Sequence, residues 1–181
     1  MPPERFYTKT VVGIQLVAKT RREIDALVKA LRLIRRRAPK LFRCFRFLDA
    51  VLVYPKRSYD NAIYMHDDPY VWVCESGTAL ESSPAYFAGL LVHEAVHVAQ
   101  WRRGIRRHST RMEEEAYHAQ RRFLKNIGAN DEVAWLDEQF KERWWVKGRG
   151  EAQKRSVDRI SARHRRFLAS YRSGTLPLRH L

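Results

Sequence analysis

Two histidines four residues apart, His93 and His97, with Glu94 directly after the first, stand inside an otherwise apolar run from 90 to 99. On a helix a four-residue step turns the side chain by about 400°. Both imidazoles therefore emerge on one face about one turn apart, where a single divalent ion can meet both. Glu94, one step from the first imidazole, is placed to take a proton from a water that such an ion acidifies. The chemistry implied is hydrolysis, with Glu94 as general base.

A hydrolytic zinc ion takes three protein ligands and keeps a fourth position for water, so the two histidines leave the set incomplete. The spacing HExxHxxGxxH would supply a third histidine. Here Gln100 and Arg103 stand three and six residues after His97, which excludes that pattern. His108, eleven residues past His97, is one alternative, and the acidic run Glu113, Glu114 and Glu115 is the better source. Against an apolar stripe of Met112, Ala116, Ala119 and Phe123, Glu114 points away and Glu113 and Glu115 lie on opposite shoulders. Thr110-Arg111-Met112-Glu113 reads as a capping box that engages Glu113 at the helix start. Glu115 is then the expected third ligand, with Glu113 and His108 as substitutes.

The elements that must hold these residues are visible in outline. Ser83-Pro84 predicts the start of the His93 helix, and Arg102-Arg103-Gly104 its end. Thr20 and Glu23 form a second capping box before an amphipathic helix that Pro39 stops. Residues 45–54, 62–64 and 70–74 are rich in strand formers, the last two flanking a turn at 66–69. Further helices are expected around Val133 to Trp144 and Val157 to Tyr171, separated by Gly148-Arg149-Gly150. The fold class expected is α+β in one domain over 1–181, with a core at about 20–145 and a basic helical extension at about 147–181. A short mixed sheet would pack on the His93 helix and the Glu115 helix, with additional N- and C-terminal helices.

HEAVH followed 18 residues later by Glu115-Ala116 resembles the gluzincin arrangement of zinc metallopeptidases, across about residues 61–127. The apolar lead-in Leu90-Leu91-Val92 and the tail Val98-Ala99-Gln100 are similar to those of small bacterial and phage-type gluzincins. The resemblance implies a zincin-like fold, a Zn²⁺ ion on His93, His97 and Glu115, and a protein or peptide substrate. It also implies that the strand before the active helix, here 70–74, forms the cleft rim and pairs with extended substrate. An oxyanion donor is expected, with Tyr117, His118, Tyr64 and His66 as candidates. In the thermolysin-like branch an Asp four residues after the glutamate supports the first histidine, and this chain has Ala119 there.

Charge is unevenly placed. Residues 1–46 carry 13 Lys and Arg against 3 acids, residues 141–181 carry 12 against 3, and the middle carries 10 against 14. The basic flanks are expected to attract a nucleic-acid backbone or an acidic partner. They motivate an alternative reading, a nucleic-acid-associated or scaffold protein whose zinc site is structural or inactive. Cys44 and Cys74 lack metal-ligand spacing. The apolar patch at 11–18 is too short to span a bilayer and lacks a signal-peptide pattern, so no membrane association and a cytoplasmic location are expected.

Overall fold

The computed structural model describes residues 5–56, 63–65, 68–106, 109–142 and 151–181. Its centre is a six-stranded mixed sheet built from β1 (Phe6–Val11), β2 (Ile14–Ala18), β3 (Ala50–Tyr54), β4 (Ile63–Met65), β5 (Asp68–Glu75) and β6 (Leu178–His180). The strand order is β4-β5-β3-β2-β1-β6. Strands β2, β3 and β5 run parallel, while β1 pairs antiparallel with β2 and β4 antiparallel with β5. The chain is thus α+β, with helices α1 (Arg21–Arg37), α2 (Pro39–Phe42), α3 (Ser76–Glu81), α4 (Pro84–Arg102), α5 (Thr110–Asn126), α6 (Asn130–Glu142) and α7 (Glu151–Arg172).

Alternation along the strands assigns the two sheet faces. Ile14, Leu16, Val51, Val53, Trp72 and Cys74 join the larger core beneath α1, α4 and α5. Val17, Ala50, Leu52, Val71 and Val73 turn to the opposite face, where Phe167 and Leu168 of α7 cover them. The C-terminal segment is therefore one layer of the domain rather than an extension beyond a core ending near 145. Its last strand, β6, adds to β1 in parallel.

The apolar patch at 11–18 lies in the β1–β2 hairpin, which spans residues 6–18. Its turn holds Val12 and Gly13 at positive φ, 54° and 82°. A β-branched residue rarely adopts that conformation, which is why no turn is legible there. Residues 45–54 are strand only from Ala50. Arg43–Phe47 is a 3-10 helix, and Phe45, buried in it, meets Trp72 edge-on with ring centroids 5.4 Å apart. The capping box of Thr20 and Glu23 and the stop at Ala38-Pro39 are as expected. Gly148-Arg149-Gly150 and Trp144 lie outside the described residues.

Candidate metal centre

Helix α4 starts where Ser83 accepts a hydrogen bond from the Tyr86 amide with Pro84 in the first turn, and it ends at Arg102, with Arg103 as its cap and Gly104 beyond it at φ 85°. It is buried continuously from Phe87 to Val98, so its histidines sit in the interior rather than on a solvated face. Helix α5 returns antiparallel beside it. Gly89 lets the two helices approach, since a Cβ there would lie 3.2 Å from Leu124 Cδ2. Moving along α4, His93 faces Tyr117, with ring centroids 4.7 Å apart, His97 faces Glu113, and Gln100 faces the carbonyl of Met112. Each turn forward on one helix is a turn back on the other.

That register brings Glu113 rather than Glu115 to the histidines. His93 Nε2 and His97 Nε2 are 3.1 Å apart, and Glu113 Oε2 and Oε1 lie 3.3 Å and 3.6 Å from them. All three residues are buried, at 8%, 5% and 9% exposure. The reason is a one-residue shift of the cap. The N-cap is Ser109, whose Oγ accepts from the Met112 amide, so Glu113 is not the capping-box residue and its carboxylate is released inward. The apolar face is also wider than the stripe of Met112, Ala116, Ala119 and Phe123, because Tyr117, Gln120 and Leu124 belong to it. Their inclusion rotates its centre toward Glu113 and leaves Glu115 outside.

Glu115 instead pairs on the surface with Arg103, whose Nη2 lies 2.8 Å from both carboxylate oxygens, and accepts a 3.0 Å bond from Gln100 Nε2. Burial acts to raise its carboxyl. The hydrogen bonds from Arg103 and Gln100 and the charges of Arg103 and Arg111 outweigh that, and its pKa sits below the usual glutamate value.

Gln100, met in the sequence only as a departure from another pattern, fixes His97. Its carboxamide nitrogen donates to Met112 O and Glu115, so Oε1 is the acceptor for His97 Nδ1 at 2.8 Å. Neutral His97 must then carry its proton on Nδ1 and present a lone pair from Nε2. This lone pair, a carboxylate and the second imidazole nitrogen converge on one point. A lone pair, a carboxylate and a second imidazole nitrogen suit a cation at their centre. The signal was available in the sequence, since Gln100 follows His97 by three residues and shares its helix face.

Glu94 is buried, at 6% exposure, and follows His93 by about 100° around α4. Of the oxyanion candidates, Tyr117 packs against His93, while His118 is exposed and rests against Phe140 with ring centroids 5.1 Å apart. The side chain of Tyr64, and both His66 and His108, lie outside the described residues. The expected rim, 70–74, is internal to the sheet, paired with β3 on one side and β4 on the other. The sheet edge on the side of α4 is β4. Among the described residues no helix is long and apolar enough to cross a membrane.

Comparison of the chain with protein-family models, with curated proteins and with solved structures finds no match.

Proposed function

We propose that the chain is a zinc-dependent hydrolase of peptide bonds with a zincin-like, gluzincin-type site in which His93, His97 and Glu113 hold the ion. The observation that carries this reading is the convergence of three ligand groups. The two imidazole nitrogens are 3.1 Å apart, close to the roughly 3.3 Å edge of a tetrahedron with bonds of about 2.0–2.1 Å, and the Glu113 carboxylate reaches both, with Oε2 3.3 Å from His93 Nε2 and Oε1 3.6 Å from His97 Nε2. Buried His93, His97 and Glu113 thus fit a divalent ion in both donor type and spacing. Three protein ligands leave one position of a tetrahedron for water, the pattern of catalytic rather than closed structural zinc.

When bound, the ion supplies Lewis-acid polarisation of a carbonyl and lowers the pKa of a water toward about 7. Glu94 takes the proton and passes it to the leaving amine. Gln100 keeps His97 in the tautomer that offers Nε2 inward, and the edge-on ring of Tyr117 holds His93. Edge strand β4 offers backbone groups to an extended peptide, the role first expected of 70–74.

Metal analysis of protein purified without added zinc tests this. One equivalent is expected in the native chain and in Glu94→Gln, which loses turnover of an unstructured protein substrate. Glu113→Gln should lose the metal and Glu115→Gln should keep it. No metal in the native chain overturns the reading. Metal without turnover in the native chain would favour the alternative, a structural zinc site in a scaffold protein.

A further inference from the structure

The C-terminal ends of α1 and α4 lie at one pole of the molecule. At the opposite pole their first turns share a cavity of about 320 Å³, where Arg22 and Asp25 of α1 meet Pro84 and Phe87 of α4. At the C-terminal pole the Arg102 guanidinium sits 3.6 Å from the ring centroid of Phe47, in the 3-10 turn that follows α2. This pole is built from residues 35–47 and 101–106, and the sequence stretches that contain them, 26–48 and 95–112, hold no aspartate or glutamate.

The stretches are crowded with cations. Arg35, Arg36, Arg37, Lys40, Arg43 and Arg46 are all exposed, and among the described residues none forms an ion pair. Arg35, Arg36 and Arg37 complement the dipole at the end of α1, which gives them a structural reason to be there. Lys40, Arg43 and Arg46 lie on helices of only four and five residues, where the dipole gives little such support. Among the described residues Arg103 is the cation of the α4 end that pairs with Glu115. Clustered like charge without counter-charge costs self-repulsion, which a polyanion would relieve.

Two aromatic rings are set among these cations. Phe47 carries Arg46 at 4.5 Å and Arg102 at 3.6 Å, and half-buried Trp101 carries Arg106 at 4.0 Å. Trp101 follows His97 by one helical turn, so the basic surface begins about 6 Å along the axis from the candidate metal centre.

We propose that this pole binds a single-stranded nucleic acid, its phosphates on the guanidinium groups and its bases against Phe47 and Trp101. Arginine outnumbers lysine here, which suits forked hydrogen bonding to phosphate. Half-buried rings flanked by cations are the elements of a sequence-tolerant stacking surface. A lipid surface fits less well, because the apolar face of α1 is spent in the core and Ile105 is the one large exposed apolar side chain in the two stretches. The proposal does not depend on the metal reading.

The test uses the full chain and a fluorescent 20-nucleotide oligo-dT, with anisotropy read across a salt titration. Binding should weaken with a log–log slope of about −4, as six phosphate contacts to a single strand imply. Lys40→Glu/Arg43→Glu/Arg46→Glu should bind at least about tenfold more weakly, and the neutral set Lys40→Gln/Arg43→Gln/Arg46→Gln should flatten the slope by about 2. Arg122→Glu/Lys125→Glu, on the exposed basic face of α5, should stay within about threefold of the native chain. Absence of oligonucleotide binding at low salt, equal weakening by the α5 pair, an unchanged slope in the neutral set, or tighter binding to phosphatidylserine vesicles or polyglutamate would each overturn the proposal. Thermal melting of each variant separates a lost surface from a lost fold, and the neutral set decides where charge reversal unfolds the chain. Since no hydrolysis is read, failure here leaves the hydrolase reading untouched.

Discussion

His97 Nδ1 lies 2.8 Å from Gln100 Oε1, and the carboxamide that meets it is itself anchored to the neighbouring helix. One side chain thereby links the imidazole to the start of α5, the turn that also carries Glu113. Orientation of the ring and placement of the carboxylate are set together. In many metal sites a carboxylate holds the ligand imidazole. A neutral amide in that place orients the ring without adding a negative charge to a centre that already holds Glu113.

Replacing Gln100 by Ala should therefore weaken zinc binding about 10- to 100-fold, the usual cost of losing a group that orients a ligand. Competition with a chromophoric chelator measures it. A purely structural Gln100 would lower the melting temperature and leave the affinity of the folded protein unchanged.

Glu115 predicts a pH dependence of the metal-free protein. Its folded pKa is below its unfolded value, so the folded state favours the ionised carboxylate. That contribution is present above the ordinary glutamate range and is lost as pH falls through the lowered folded value. The side chains of Arg103 and Glu115 are 53% and 45% exposed. The pair should then be worth under about 1 kcal/mol, and less in high salt. Thermal melts should show Glu115→Gln slightly less stable than the native chain at pH 7 and indistinguishable below the glutamate range. A difference that persists in acid would mean that the ion pair is not its source.

The helix of the two histidines was legible because its signals are local: a serine–proline start, a glycine end and apolar residues between. The third carboxylate was not. Glu113 and Glu115 differ by which residue caps α5, and Ser109 and Thr110 are both competent caps, so a one-residue ambiguity in a local signal exchanged an interior carboxylate for a surface one. The N-terminal hairpin was hidden by a turn that places Val12 at positive φ. The second face of the sheet was hidden for a different reason. Its covering helix lies about a hundred residues from the strands it packs on, and its apolar residues are sparse among arginines, so sequence periodicity showed a helix without showing what it covers.

That covering helix yields the sharpest test of the architecture. Phe167 on α7 meets Phe6 of β1 with ring centroids 5.3 Å apart and Tyr54 of β3 at 5.4 Å, so it bridges two strands with β2 between them. Only 7% of its surface is exposed. Truncating a phenylalanine in such a place removes its transfer free energy and leaves a cavity, a cost of about 3–5 kcal/mol. For a domain of this size Phe167→Ala should lower the melting temperature by roughly 10 °C, read by circular dichroism. A helix appended outside the core would give a shift near zero, because the sheet would already be covered or would tolerate solvent on that face. Neither holds for Val17, Leu52 and Val73, which are fully buried beneath α7 and have no other layer over them among the described residues. The loss should therefore appear as one cooperative transition displaced to lower temperature, with no separate early melting of a C-terminal unit.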